Sequence, residues 1–148
     1  MIASAQAEVV GCGGAELIIH CAQDWFAVAV RLEVRALPSV AIESDGGWWV
    51  CPMFELASPS GWLVVGSPTG EVVDLVLEGG PGVYGVEVAH RGRDRAVVLR
   101  DGLFARYQDV LSGEALRERD EHVGVERYRV RFWRVAPLPE GWDGGGED

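Results

Sequence analysis

GGPGVYGVEVAHRGR (residues 79–93) and its counterpart ERYRVRFWRV (residues 126–135) decide how this chain folds. Gly79, Gly80, Pro81 and Gly82 make a turn, because glycine reaches positive φ without a Cβ clash and proline pre-sets the φ that a turn position needs. From Val83 onward the residues alternate. Tyr84, Val86, Val88 and His90 fall on one face, and Val83, Gly85, Glu87, Ala89 and Arg91 on the other, which is the period of a strand. The closing segment alternates more strongly. Tyr128, Val130, Phe132 and Arg134 share one face, and Arg127, Arg129, Arg131 and Trp133 form an arginine ladder on the other. Both segments carry the β-branched and aromatic residues that suit a pleated, half-buried surface. They are expected to be antiparallel neighbours with their apolar faces buried.

Working outward, the same grammar of short alternating runs and Gly/Pro turns fills the first half. Residues 7–12 and 15–21 are two apolar runs separated by Gly13 and Gly14, a hairpin signal. Residues 25–34 alternate clearly, with Phe26, Val28, Val30, Leu32 and Val34 on one side. Asp45-Gly46-Gly47 turns the chain into Trp48-Trp49. Residues 62–65 and 71–77 follow as strands, the second with Val73, Leu75 and Leu77 inward and Val72, Asp74 and Val76 outward. Residues 96–100 form a short apolar patch closed by an Asp101-Gly102 turn. Residues 104–123 space their apolar positions at a roughly helical period, but Gly113 interrupts them, so a long loop containing a helical turn is expected. Strands at this spacing predict an all-β chain, an antiparallel β-sandwich or small barrel. Residues 1–143 are expected to form one domain and residues 144–148 a flexible acidic tail.

Charge narrows the function classes. The 148 residues carry 13 arginines, no lysine and 23 acidic groups, for a net charge of −10. That balance argues against non-specific nucleic-acid binding, since phosphate contacts need a basic footprint. Residues 1–80 hold ten acids against two arginines, −8, and residues 81–148 hold thirteen against eleven, −2. A field concentrated in the first half can steer a basic partner, or simply keep the protein in solution. The first residues lack a basic region followed by an apolar core, and no apolar run approaches a bilayer's width. A cytoplasmic location is expected.

Chemistry-bearing motifs are sparse. Cys12, Cys21 and Cys51 have no CxxC spacing, so reduced core thiols are expected rather than a disulfide framework or a metal site. His20, His90 and His122 sit in no HExxH or GxSxG arrangement. No catalytic residue, metal or cofactor is expected. Adjacent strand residues face opposite ways, so at most one of Trp48 and Trp49 can enter the core, and an exposed tryptophan is an interface anchor.

One resemblance bears on function. Pro81, Gly82 and Tyr84, then Gly92-Arg93-Asp94, then Glu126, Tyr128 and Phe132-Trp133 stand around a variable charged segment. In these the C-terminal half resembles a group of small bacterial proteins similar to competence protein J, the inhibitor of the DNA-entry nuclease. The resemblance implies a β-sandwich that binds and inhibits a nuclease or toxin. The favoured expectation is therefore a non-enzymatic inhibitor or immunity protein for a basic protein partner, meeting it through Asp24, Glu43 and Asp45 with Trp48 or Trp49. The alternatives are a small-ligand or sensor domain using a His90, Arg91, Arg93 and Asp94 loop, and an oligomerising module pairing through the arginine-ladder strand.

Overall fold

The computed structural model describes residues 9–13, 16–36, 44–45, 47–66 and 72–141; Glu43 and the tail at 144–148 lie outside them. Its strands are β1 (Val10–Gly13), β2 (Glu16–Ile19), β3 (Ala29–Arg35), β4 (Ser44–Asp45), β5 (Trp48–Val50), β6 (Phe54–Ser58), β7 (Trp62–Gly66), β8 (Val72–Val76), β9 (Gly82–Arg91) and β10 (Arg127–Ala136). Two helices, α1 (Arg93–Arg106) and α2 (Gly113–Glu121), separate β9 from β10. The chain is thus mostly strand, and among the described residues its sheets do not close into a barrel.

The two opening stretches are the centre of the fold. β9 and β10 pair antiparallel from Arg127 opposite Arg91 to Trp133 opposite Gly85, with a bulge between Arg134 and Ala136. The sheet runs β3-β10-β9-β5-β4, and β6 also pairs with β9. It is mixed rather than antiparallel throughout, because β3 lies parallel to β10 from Ala29 opposite Arg127 to Arg35 opposite Trp133. Gly85 has a steric reason. Trp133 lies across it, and a Cβ there would stand 2.5 Å from the indole Cε2.

Tyr84, Val86, Val88, Tyr128, Val130 and Phe132 form the core with Leu56, Cys51, Leu77, Val9 and Val10. The hairpins β1-β2 and β7-β8 contribute Leu17, Ile19, Leu63 and Leu75 to it. Outward-facing Val72 and Val76 are exposed as the alternation requires, but so is Val73, which was expected inside.

The helices correct the expected loop and the expected turn at Asp101-Gly102. In α1, Ala96 and Leu103 are fully buried seven residues apart. They form one stripe of a 3.6-residue period. Adjacent β-branched Val97-Val98 and the Asp-Gly pair mask that stripe in a reading for strands and turns. α2 starts at Ser112, whose hydroxyl accepts the Ala115 N–H at 3.2 Å. That N-cap lies ahead of Gly113, so the glycine opens the helix instead of breaking it. Tyr107 donates from its hydroxyl to Glu118 at 3.0 Å, and Arg106 pairs with the same carboxylate, tying the helices together. No helix among the described residues is long and apolar enough to cross a membrane.

Candidate functional site

The site lies where β9 ends and β10 begins. Gly92 turns β9 into α1 at φ +81°, and a Cβ at this position would run into the Val125 carbonyl oxygen. Only glycine lets the two chain segments pass this closely. The turn brings Arg93, the first residue of α1, against the start of β10. One guanidinium nitrogen, Nη1, donates to the Tyr128 hydroxyl at 2.6 Å and to the His20 carbonyl at 2.7 Å. It also lies 3.8 Å from Glu126 Oε2.

Glu126 is fully buried. Its carboxylate accepts the Ala22 N–H at 2.6 Å, the Gln23 side-chain amide at 3.0 Å and the Tyr128 hydroxyl. Gln23 extends this network. Its amide nitrogen also donates to the Phe26 carbonyl at 2.9 Å, and its oxygen accepts the Trp25 and Phe26 N–H groups at 2.8 and 2.9 Å. Residues 20–28, without regular structure, are thereby fastened to the sheet by the Glu126 carboxylate together with the Arg93–His20 and Gly124–Ala27 contacts. A buried charge needs an opposite charge and several donors to be tolerated, and Glu126 has both.

The electrostatics suit a lock better than a nucleophile. Burial pushes the Tyr128 phenol well above its usual value, and the Glu126 hydrogen bond and charge push it further. Burial, then the Glu126 charge, raises the Cys21 thiol, against the Tyr128 hydrogen bond and Arg93. Burial raises Cys51 against the pull of Arg93. Burial and then Arg93 lower His90, with Glu126 and Asp94 opposing. Phenol and thiols are therefore held in their protonated, neutral forms, and the imidazole in its unprotonated, neutral form. A cysteine nucleophile needs its thiolate, which is here disfavoured. Among the described residues, no three His, Cys, Asp or Glu side chains come together to hold a metal ion.

Strand register assigns the expected contact residues to opposite faces. Trp49 lies across from His90, and His90 from Tyr128, so these three form one row. His90 is buried with its ring 6.3 Å from that of Tyr128, while Trp49 is 56% exposed. Trp48 takes the other face. The Arg129 and Arg91 guanidiniums stand 4.9 and 5.6 Å from its ring centroid. Neither tryptophan enters the core. Asp45 pairs across from Trp48 in β4, and Asp24 is exposed in the fastened segment. The expected loop at His90, Arg91, Arg93 and Asp94 is instead the end of β9 and the first turn of α1. The fold brings Trp49, His90 and Arg93 to one end of the sheet and leaves Trp48 and Arg91 on the reverse.

Compared with family models, curated proteins and solved structures, the chain matches none of them.

No sequence motif marks Glu126, Tyr128 or Gln23 as a site residue. Parity was the available signal. Glu126 is in phase with Tyr128, Val130 and Phe132, and a carboxylate on the buried face of a strand implies a built partner set. Gln23 gave no such signal, because it precedes the first regular position of β3.

Proposed function

We propose that this chain is a non-enzymatic cytoplasmic binding protein, an inhibitor or immunity protein for a basic nuclease or other bacterial toxin. The observation that carries the reading is Trp49. A large aromatic with over half its surface in solvent sits on a strand paired with β9, opposite the buried His90. Rigid aromatic anchors supply interface area at low entropic cost. The net charge of −10 supplies steering toward a basic surface. The raised Cys21 thiol gives no support to a cysteine nucleophile. The resemblance of the C-terminal half to the competence protein J group points the same way.

We also infer a β-sandwich, with the β1-β2 and β7-β8 hairpins as its second layer. Their Val10, Leu17, Leu63 and Leu75 share a core with β9 and β10, which supports that architecture. Ligand binding at His90–Asp94 has weaker support, since Arg93 is engaged by Glu126, Tyr128 and the His20 carbonyl.

Affinity capture from the source lysate at low and high salt, with wild type and Trp49→Ala, tests the reading. The captured protein's nuclease activity is then measured with and without added wild type. The expected result is a basic protein held at low salt, lost with Trp49→Ala and inhibited stoichiometrically. Capture that ignores salt, or a captured enzyme that stays active, overturns it.

A further inference from the structure

We propose that two copies of this chain join edge to edge through β3, antiparallel and in register about Leu32. The inference stands on sheet topology and is independent of the inhibitor reading. The arginine-ladder strand β10 lies between β9 and β3 and has no edge to offer. β3 ends the sheet: its seven residues pair with β10 on one side and, among the described residues, with nothing on the other. The edge is long and unbulged, with Val30 at 45% exposure. Such an edge is a template for another strand.

The sequence of β3, AVRLEVR, is complementary to itself in one register. A continuous sheet requires like faces to meet, so only registers that place odd residues opposite odd residues are allowed. Centred on Leu32, all seven residues pair. Arg31 stands opposite the partner's Glu33, Glu33 opposite the partner's Arg31, and Val30 opposite the partner's Val34, with Leu32 on the twofold axis. Centred on Glu33, the two glutamates oppose each other and Arg31 meets the partner's Arg35. Centred on Arg31, two arginines oppose each other. Centred on Val34, only three residues overlap. The Leu32-centred register matches charge over the full strand, and its symmetry is that of a closed dimer, whereas the Val34-centred one matches Glu33 with the partner's Arg35 over three residues only.

The side chains are placed to make it. Arg31 is the most exposed of the strand's ion-pairing groups, its side chain 77% accessible, while Glu33 is held by Arg131 at 3.0 Å and by Arg31 at 2.9 Å. Glu33 therefore presents a carboxylate fixed by Arg131, Arg31 and Arg35, and the exposed Arg31 would exchange its own-strand Glu33 for the partner's. Two chains of net charge −10 repel each other overall. Each β3 edge carries two arginines and one glutamate, so attraction across it comes from the paired Arg31 and Glu33 and not from net charge.

Sedimentation velocity across a concentration series tests this. Wild type is expected to form a dimer that dissociates on dilution. Arg31→Glu sets a second carboxylate opposite the partner's Glu33, and Glu33→Arg sets a second guanidinium opposite the partner's Arg31; each alone should weaken dimerisation by about tenfold or more. Mixed together, the two variants match charge again and should form a heterodimer near wild-type strength. A wild type that remains monomeric at every concentration overturns the proposal. So does Arg31→Glu dimerising like wild type, or a mixture of two folded variants that associates no better than either alone. If Glu33→Arg does not fold, because its side chain then faces Arg131, the solvent-exposed Arg31→Glu decides the matter by itself.

Discussion

The centres of the two faces of β9 and β10 are both closely buried, but by different means. On the core face, Tyr84, Val86, Val88, Tyr128, Val130 and Phe132 are at most 2% exposed, and other strands cover them. On the reverse, Glu87 is 2%, Trp133 4% and Arg129 8% exposed. There the cover includes indoles and guanidinium stems of the face itself, with Trp48 against Arg129 and Trp133 across Gly85. Close burial therefore does not imply apolar packing. The core face should be sensitive to volume and the reverse face to charge. The largest expected effect is on the core face. Phe132→Ala should cost about 3–5 kcal/mol, transfer plus cavity, read as a lower midpoint in urea unfolding. A loss below about 1 kcal/mol would mean that the hairpins do not hold the core closed.

The reverse face should respond less, and to a different change. Glu87 lies 3.6 Å from Arg131 and 3.9 Å from Arg129. Glu87→Ala removes the carboxylate between two guanidiniums and should cost about 1–3 kcal/mol. Replacing both Glu87 and Arg129 with leucine should recover much of that loss, since an apolar pair of similar volume often matches a buried ion pair. If the double variant is no better than Glu87→Ala, the comparison fails, and volume governs this face as well.

What could be read from the sequence follows from this difference. The alternation of β9 and β10 is strict enough that the buried face and the arginine ladder follow from spacing alone, whereas the antiparallel direction does not, because alternation is the same in a parallel pair. The β1-β2 hairpin and the β7 and β8 strands follow from Gly/Pro turns. The helices were hidden because α1 buries only Ala96 and Leu103, too few positions to outweigh Val97-Val98 and Asp101-Gly102. The parallel pairing of β3 with β10 joins segments almost a hundred residues apart, and no local signal encodes it. The site was half legible. His90 and Trp49 stood out as residue types, but the Glu126 network depends on Ala22, Gln23 and Arg93 converging from distant segments. Trp48 looked interchangeable with Trp49 until register assigned them to opposite faces.

Acid separates the two faces most finely. On the core face, burial and Arg93 hold His90 below its ordinary 6.5, and its Nε2 is buried with no hydrogen-bond partner among the described residues. On the reverse face, burial works against Glu33, yet Arg131, Arg31 and Arg35 hold it below its ordinary 4.5. In both cases the unfolded chain takes up the proton at a higher pH than the folded one, so stability rises with pH across each window. The His90 contribution is complete above 6.5 and is lost as pH falls below it. The Glu33 contribution is complete above 4.5 and is lost as pH falls through the depressed folded value. Unfolding midpoints against pH should therefore show two successive losses. His90→Gln should flatten the upper one alone, and Glu33→Gln the lower one alone. If His90→Gln leaves the upper slope parallel to wild type, protonation of the core face is not what destabilises the protein there. The imidazole would then have to be compensated when charged, by Glu126 or Asp94 taking over from Arg93 as its dominant neighbour.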